Sequence, residues 1–261
     1  MTNIGKDREQ NEDAFTFCPN LSDPYWGHTE ACSDFGDLGS VLAVADGMGG
    51  ANAGEVASAC ALEVIQEQFT RTNVTSALQS DKQINEFLIK TISLANNAIV
   101  NLMVQSPETY GMGTTIVICW LLKDKAHIAW CGDSRCYIYN NNSGLKALTK
   151  DHSLVQELID KGDITEEEAF YHPDNNLITR GLGDFDTKAI PEITTYTLIP
   201  NDIVLLCSDG ICGYCNNKTL EQTIKSSQTD LKDCGHQLLE VALKSGSEDD
   251  ITITLATVMD D

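Results

Sequence analysis

Basic residues are scarce in this 261-residue chain, where 17 lysines and arginines face 39 aspartates and glutamates for a formal net charge of −22. Such a surface repels a nucleic-acid backbone, so nucleic acid is not an expected partner. Long hydrophobic runs are missing too. The most apolar stretch, Ile116 to Leu122, is far shorter than the ~20 residues of a spanning helix, and Met1-Thr2-Asn3-Ile4-Gly5 does not open like a signal peptide. A cytoplasmic location away from membranes is therefore expected. The five histidines, His28, His127, His152, His172 and His236, have no zinc-ligand spacing and form no His-Glu-x-x-His motif. Gly111-Met112-Gly113-Thr114-Thr115 lacks the lysine of a nucleotide-binding P-loop and reads as a tight turn into a strand. No linker rich in Pro, Gly or Ser and no internal repeat divides the chain, so one domain over 1–261 is expected.

What is present is the composition of a folded protein, 42% hydrophobic and 21% charged. An apolar strand, Val41 to Ala45, breaks at Asp46-Gly47-Met48-Gly49-Gly50, and Val56, Cys60, Val64 and Ile65 then recur at helical spacing. A second amphipathic helix carries Ile84, Leu88, Ile92, Ala95, Ile99 and Leu102 on one stripe. Thr114 to Leu122, Ala126 to Cys131 and Arg135 to Tyr139 read as an antiparallel meander. Residues 151–180 are polar and glutamate-rich with a weak helix at Leu154, Leu158 and Ile159, which suits a surface flap. Strands are predicted at Ile193 to Leu198 and Ile203 to Cys207, helices near Leu220 to Ile224 and Leu231 to Leu243, and a last strand at Ile251, Ile253 and Leu255. Antiparallel strands interleaved with blocks of helices give an α+β domain with helix-covered sheets.

Five acidic sites fall at strand boundaries: Glu12-Asp13 beside Arg8 and Asn11, Asp46-Gly47, Gly132-Asp133-Ser134-Arg135, Ser208-Asp209-Gly210, and Glu248-Asp249-Asp250. Singly, an Asp beside Gly is usually a turn residue. As a set, hard carboxylate oxygens suit divalent cations, which neutralise a phosphate ester and make a water nucleophilic. The ten cysteines are spread through strands and helices, as reduced thiols would be. Cys212-Gly213-Tyr214-Cys215 lies late in the chain after an Asp-Gly turn, which reads as structural rather than redox-catalytic. No cysteine has an Arg six positions on, so a thiolate phosphatase loop is absent.

These elements, in this order, resemble the metal-dependent type 2C protein serine/threonine phosphatases (the PPM family) in their bacterial form, from about Gly5 to Val258. The matching pieces are Arg8-x-x-Asn11-Glu12-Asp13, Val44 to Gly50, Gly111 to Thr115, Gly132 to Arg135, Leu148-Thr149-x-Asp151-His152-Ser153, Ile178-Thr179-Arg180-x-Leu182-Gly183, Leu206-x-Ser208-Asp209-Gly210 and Asp249-Asp250-Ile251-Thr252. The resemblance implies a four-layer α-β-β-α sandwich of two antiparallel sheets, with metals at one end. It implies that Asp46 bridges two Mn²⁺ or Mg²⁺ ions. The Gly47 carbonyl and Glu12 or Asp13 would complete one ion, and Asp209 and Asp249 the other. Asp133 with Asp209 would hold a third, and Arg8 would bind the substrate phosphate. The expected reaction is attack of a metal-bridging water on phosphoserine or phosphothreonine in proteins of a serine/threonine kinase pathway, by a monomer. The alternative is a metal-free pseudophosphatase that only binds. Two departures stand out: Asp250 replaces the family's usual Asn, and Met48 replaces the histidine of animal members. The proton for the leaving group then comes from metal-bound water or from His152 or His172.

Overall fold

The computed structural model describes residues 1–6, 8–27, 36–49, 53–183 and 189–258; Gly50 of the glycine turn and His28 lie outside them. The chain opens with β1 (Thr2–Asn3), β2 (Ala14–Cys18), β3 (Ser40–Ala45) and β4 (Gly47–Met48), followed by α1 (Gly54–Gln68), α2 (Arg71–Ala77) and α3 (Asp81–Gln105). Next come β5 (Gly113–Thr114), β6 (Ile116–Leu122), β7 (Lys125–Cys131), β8 (Arg135–Asn140) and β9 (Gly144–Ala147), then α4 (Leu154–Lys161) and α5 (Glu166–Phe170). The last part is β10 (Glu192–Thr197), β11 (Ile203–Cys207), α6 (Asp209–Cys212), α7 (Asn217–Ser227), α8 (Leu231–Lys244) and β12 (Ile251–Thr257).

The longer strands build two antiparallel five-stranded sheets, β1-β12-β11-β8-β9 and β10-β7-β6-β3-β2, and β4 pairs with β5 in a small ribbon. Period-two alternation explains why β6 and β11 are apolar throughout: each is buried on both faces. Ile116, Ile118 and Trp120 of β6 pack with Ala57, Ala61 and Ile65 of α1 and Ile84, Leu88 and Ile92 of α3, while Val117, Cys119 and Leu121 enter the seam between the sheets. Likewise Ile203, Leu205 and Cys207 of β11 face Leu220 and Ile224 of α7 and Leu238 of α8, and Val204 and Leu206 enter the seam. The layers are therefore α-β-β-α, as the resemblance implies. α3 is long and apolar enough to cross a bilayer, but its buried stripe joins the core with α1 and the sheet.

The expected meander is only half present. β6 and β7 form a hairpin, but β8 pairs with β11 and β9 in the other sheet. The switch occurs at Gly132, whose φ of +117° and whose fit against Thr115, 2.6 Å from an ideal Cβ, exclude a side chain. The short α2, capped by the Thr70 side chain, is an extra helix between the two that were expected. Within 151–180, α4 starts at the Ser153 cap and ends at Gly162 in the left-handed region, and α5 starts in a Thr165–Glu168 capping box. The two arms of this segment are pinched together by a Ser153–Ile178 bridge and by the Thr179 amide donating to the His152 carbonyl at 2.7 Å.

Candidate metal centre

Strand parity brings the first two carboxylates to one end of the seam. Leu42 and Val44 of β3 face the other sheet and Asp46 follows at the same parity; Phe15 and Phe17 of β2 line the seam and Asp13 precedes them. Ala14 pairs with Ala45, so the two strands deliver Asp13 and Asp46 side by side. From the opposite sheet, Ser208 follows Val204 and Leu206, and its hydroxyl donates to Asp13 Oδ2 at 2.7 Å. Asp209 opens α6 immediately after, and Asp249 precedes β12.

The backbone of Asp46 is clamped. Its amide donates to Thr115 Oγ1 at 3.1 Å, its carbonyl accepts from the Thr115 amide and the Thr114 hydroxyl at 2.8 Å each, and Thr115 Oγ1 shares a 2.7 Å hydrogen bond with Ser134. Gly47 has no room for a side chain, since an added Cβ would lie 2.3 Å from the Gly54 carbonyl oxygen. The Gly47 amide donates to the Glu12 carbonyl at 3.2 Å.

The carboxylates act on one another. Burial, then the charges of Asp13, Asp209, Asp133 and Asp249, hold the Asp46 carboxyl well above the usual range. Burial raises Asp13 well above it too, against hydrogen bonds from Ser208 and Thr252. Asp133 is raised by burial and by Asp209 and Asp151. Asp209 is raised to about 6 by burial and by Asp249. Asp13 Oδ1 and Asp209 Oδ1 are buried with no hydrogen-bond partner. No three acidic, histidine or cysteine side chains among the described residues close on one point as an ion would need.

Glu12 and Asp13, adjacent in sequence, diverge. Asp13 joins the buried group, whereas Glu12 turns to the start of α1, with Oε1 2.7 Å from an ideal Cβ on Gly54, and its carboxyl is raised by burial, against Arg8. Arg8 donates to Glu12 Oε2 at 3.1 Å and to Asp249 Oδ1, with its side chain 40% exposed at the rim. Asp250 points away from the group: its oxygens accept from the Gly5 amide at 2.8 Å and the Glu12 amide at 2.7 Å. It fastens the Arg8 loop to β12.

Comparison with known proteins matches residues 1–251 to the protein phosphatase 2C family. The chain belongs to that family. It is 38% identical over 220 residues to the serine/threonine phosphatase stp of Listeria welshimeri, covering 82% of this chain and 83% of the relative. The crystal structure of the serine/threonine phosphatase Stp1 from Staphylococcus aureus superposes with a TM-score of 0.85 at 32% identity, covering 100% of this chain and 94% of that one. The PstP catalytic domain, crystallised with two manganese ions, gives a TM-score of 0.78 at 29% identity over 100% and 96% of the chains. The protein is thus a bacterial-type protein serine/threonine phosphatase of a metal-dependent family, and its substrates are phosphoproteins.

Several residues of this protein phosphatase 2C site escaped the sequence reading. Thr114 and Thr115, taken as a tight turn, brace Asp46, and Ser208 holds Asp13. The quoted motifs contained all three, but sequence gives no sign of which hydroxyl reaches which backbone. Met48 packs its methyl against Gly181, 3.1 Å from an ideal Cβ there. His172 accepts from the Asp174 amide at 3.1 Å, within the 151–180 segment. Cys212 and Cys215 are buried free thiols: Cys212 donates to the Ser208 carbonyl at 3.5 Å and Cys215 to Ser245 at 3.7 Å; the Cys207 thiol and then burial raise Cys212, and burial raises Cys215.

Proposed function

We propose that this phosphatase hydrolyses phosphoserine and phosphothreonine by direct attack of water, and that Asp46, the Gly47 carbonyl, Asp13, Asp209 and Asp249 would hold two divalent ions, Mn²⁺ or Mg²⁺. The observation that carries the reading is the group of buried, mutually raised carboxylates with orphaned oxygens on Asp13 and Asp209. An all-oxygen donor set of this charge fits a hard cation. When bound, the ions supply Lewis-acid polarisation of the phosphate and a water acidic enough to attack at neutral pH.

Asp46 feels the charge of all four other aspartates, which suits the bridging position. Asp13 rather than Glu12 fits beside it, and Glu12 serves to hold Arg8. Arg8 pairs with Glu12 and Asp249 at the rim, where its fork would take the phosphate oxygens. Asp133, raised by burial and then by the charge of Asp209, would hold a third and weaker ion with it. Both candidate histidines accept a backbone amide at Nδ1, from Gly132 and Asp174 respectively, and water is the proposed source of the proton for the departing serine oxygen. The proposed setting is the cytoplasm, where the enzyme acts as a monomer on phosphoproteins of a serine/threonine kinase pathway.

Phosphate release from a phosphoserine peptide, assayed with Mn²⁺ and with excess chelator, tests the reading. Turnover should require the ion and fall to background in Asp46→Asn. Full turnover in chelator, or in that variant, would overturn it; a stable fold with no turnover in Mn²⁺ would support a binding module instead.

A further inference from the structure

The run Thr149 to His152 lies alongside the turn that carries Asp133 and grips it on both sides. Beyond Asp133, the Cys136 amide donates to Thr149 Oγ1 at 3.0 Å, and Arg135 makes a two-pronged pair with Asp151 at 2.8 and 2.6 Å. Before Asp133, the Gly132 amide donates to His152 Nδ1 at 3.1 Å and the His152 amide returns a bond to the Gly132 carbonyl at 3.0 Å. Gly132 is at φ +117°, where the chain passes from one sheet to the other, so its amide has no ladder partner and needs a side-chain acceptor.

The tautomer follows from these contacts. Nδ1 accepts from an amide and so carries no proton; Nε2 lies 3.3 Å from both Glu192 Oε1 and an Arg180 Nη1 that itself donates to that Glu192 oxygen at 3.1 Å, so the Nε2 proton goes to Glu192. The ring is 5% exposed and stacked on Trp130, with centroids 6.1 Å apart. The His152 carbonyl also holds the returning arm of the 151–180 segment, through Thr179 at 2.7 Å. One residue therefore touches the Asp133 turn, that arm and the edge strand β10.

We infer that His152 is a positioning residue that fixes the Asp133 turn in register with the 151–180 segment, through Nδ1 toward Gly132 and through its backbone toward Thr179. It is not the acid of the reaction, because neither ring nitrogen is free to reach a substrate. The inference extends the proposed role of Asp133 and rests on that reading only for its effect on turnover; the geometry is testable without metal.

Asparagine places an oxygen near the position of Nδ1 and glutamine a nitrogen near that of Nε2, so the two substitutions separate the two contacts. In metal-free ¹⁵N-labelled protein, the Gly132 amide should exchange slowly in the wild type and in His152→Asn, and about tenfold or more faster in His152→Gln and His152→Ala. Equal protection in all four would overturn the inference. In the wild type alone, imidazole ¹⁵N shifts should report a protonated Nε2 and a bare Nδ1, and the opposite tautomer would overturn it whatever the variants do. With Mn²⁺, His152→Gln should lose turnover in parallel on a phosphoserine peptide and on p-nitrophenyl phosphate, with His152→Asn restoring both. A selective loss on the peptide in His152→Asn, with the amide still protected, would make the ring a proton donor and refute the inference.

Discussion

Replacing Asp209 with Asn should make the metal-free enzyme more stable at neutral pH, although it removes a proposed metal ligand. Burial and Asp249 raise this carboxyl from 3.8 to about 6 in the folded chain. A group raised on folding favours the folded state below its unfolded value, and that advantage is lost as pH rises through the folded value. For a shift of this size, keeping Asp209 charged at pH 7 costs on the order of 3 kcal/mol, falling to roughly half that at pH 5, where the folded group is mostly protonated. Asparagine carries no charge and avoids the cost. Thermal unfolding in excess chelator should therefore place the melting temperature of Asp209→Asn about 6–12 °C above wild type at pH 7, with the gap roughly halved at pH 5. Added Mn²⁺ should reverse the order, because only the wild type gains from binding. If Asp209→Asn is no more stable than wild type in chelator, or the gap widens toward acid, the strained-carboxylate account of the site is wrong.

Thr115→Val keeps the shape of the side chain but leaves the Asp46 amide without its acceptor; stability should fall by about 1–3 kcal/mol in urea unfolding, and turnover should fall on peptide and p-nitrophenyl phosphate alike. Asp250→Ala frees the Gly5 and Glu12 amides and should cost about 3 kcal/mol by the same measurement, with a raised KM as Arg8 loses its footing. The double change of Cys212 and Cys215 to Ser should leave turnover within about twofold of wild type, since both thiols are buried donors that a hydroxyl can imitate. Inactivation of the wild type by oxidant through this pair would contradict that.

Where burial dictated residue type, the sequence was easy to read. β11 was predicted at its observed limits because five consecutive apolar residues, buried on both faces, have no other use, and the stripe of α3 from Ile84 to Ile99 is buried. The acidic positions stood out because each interrupts such a run. What could not be read depended on distant pairings. β4 and β5 are two residues each and exist only through one another, and β8 looked like the third strand of a meander until Gly132 turned it into the other sheet. The divergence of Glu12 and Asp13 is the same kind of fact: neighbours in sequence point oppositely from an extended chain, and only the partner strand decides which is inside. The capping box that starts α5 was readable in principle from Thr165 and Glu168.

The hold of Asp250 on Gly5 and Glu12 ties together positions 245 and 238 apart in the chain. Because synthesis runs from the N-terminus, Asp13 and Asp46 are made long before Asp249, and the Arg8 loop has nothing to fasten to until the residues leading into β12 have left the ribosome. On the proposed assignment of Asp249, an emerging chain should therefore be silent until almost the whole polypeptide is free to close. The same geometry makes the enzyme its own test of completeness: a chain cut short before residue 249 lacks β12, a proposed metal ligand and the latch of the Arg8 loop together.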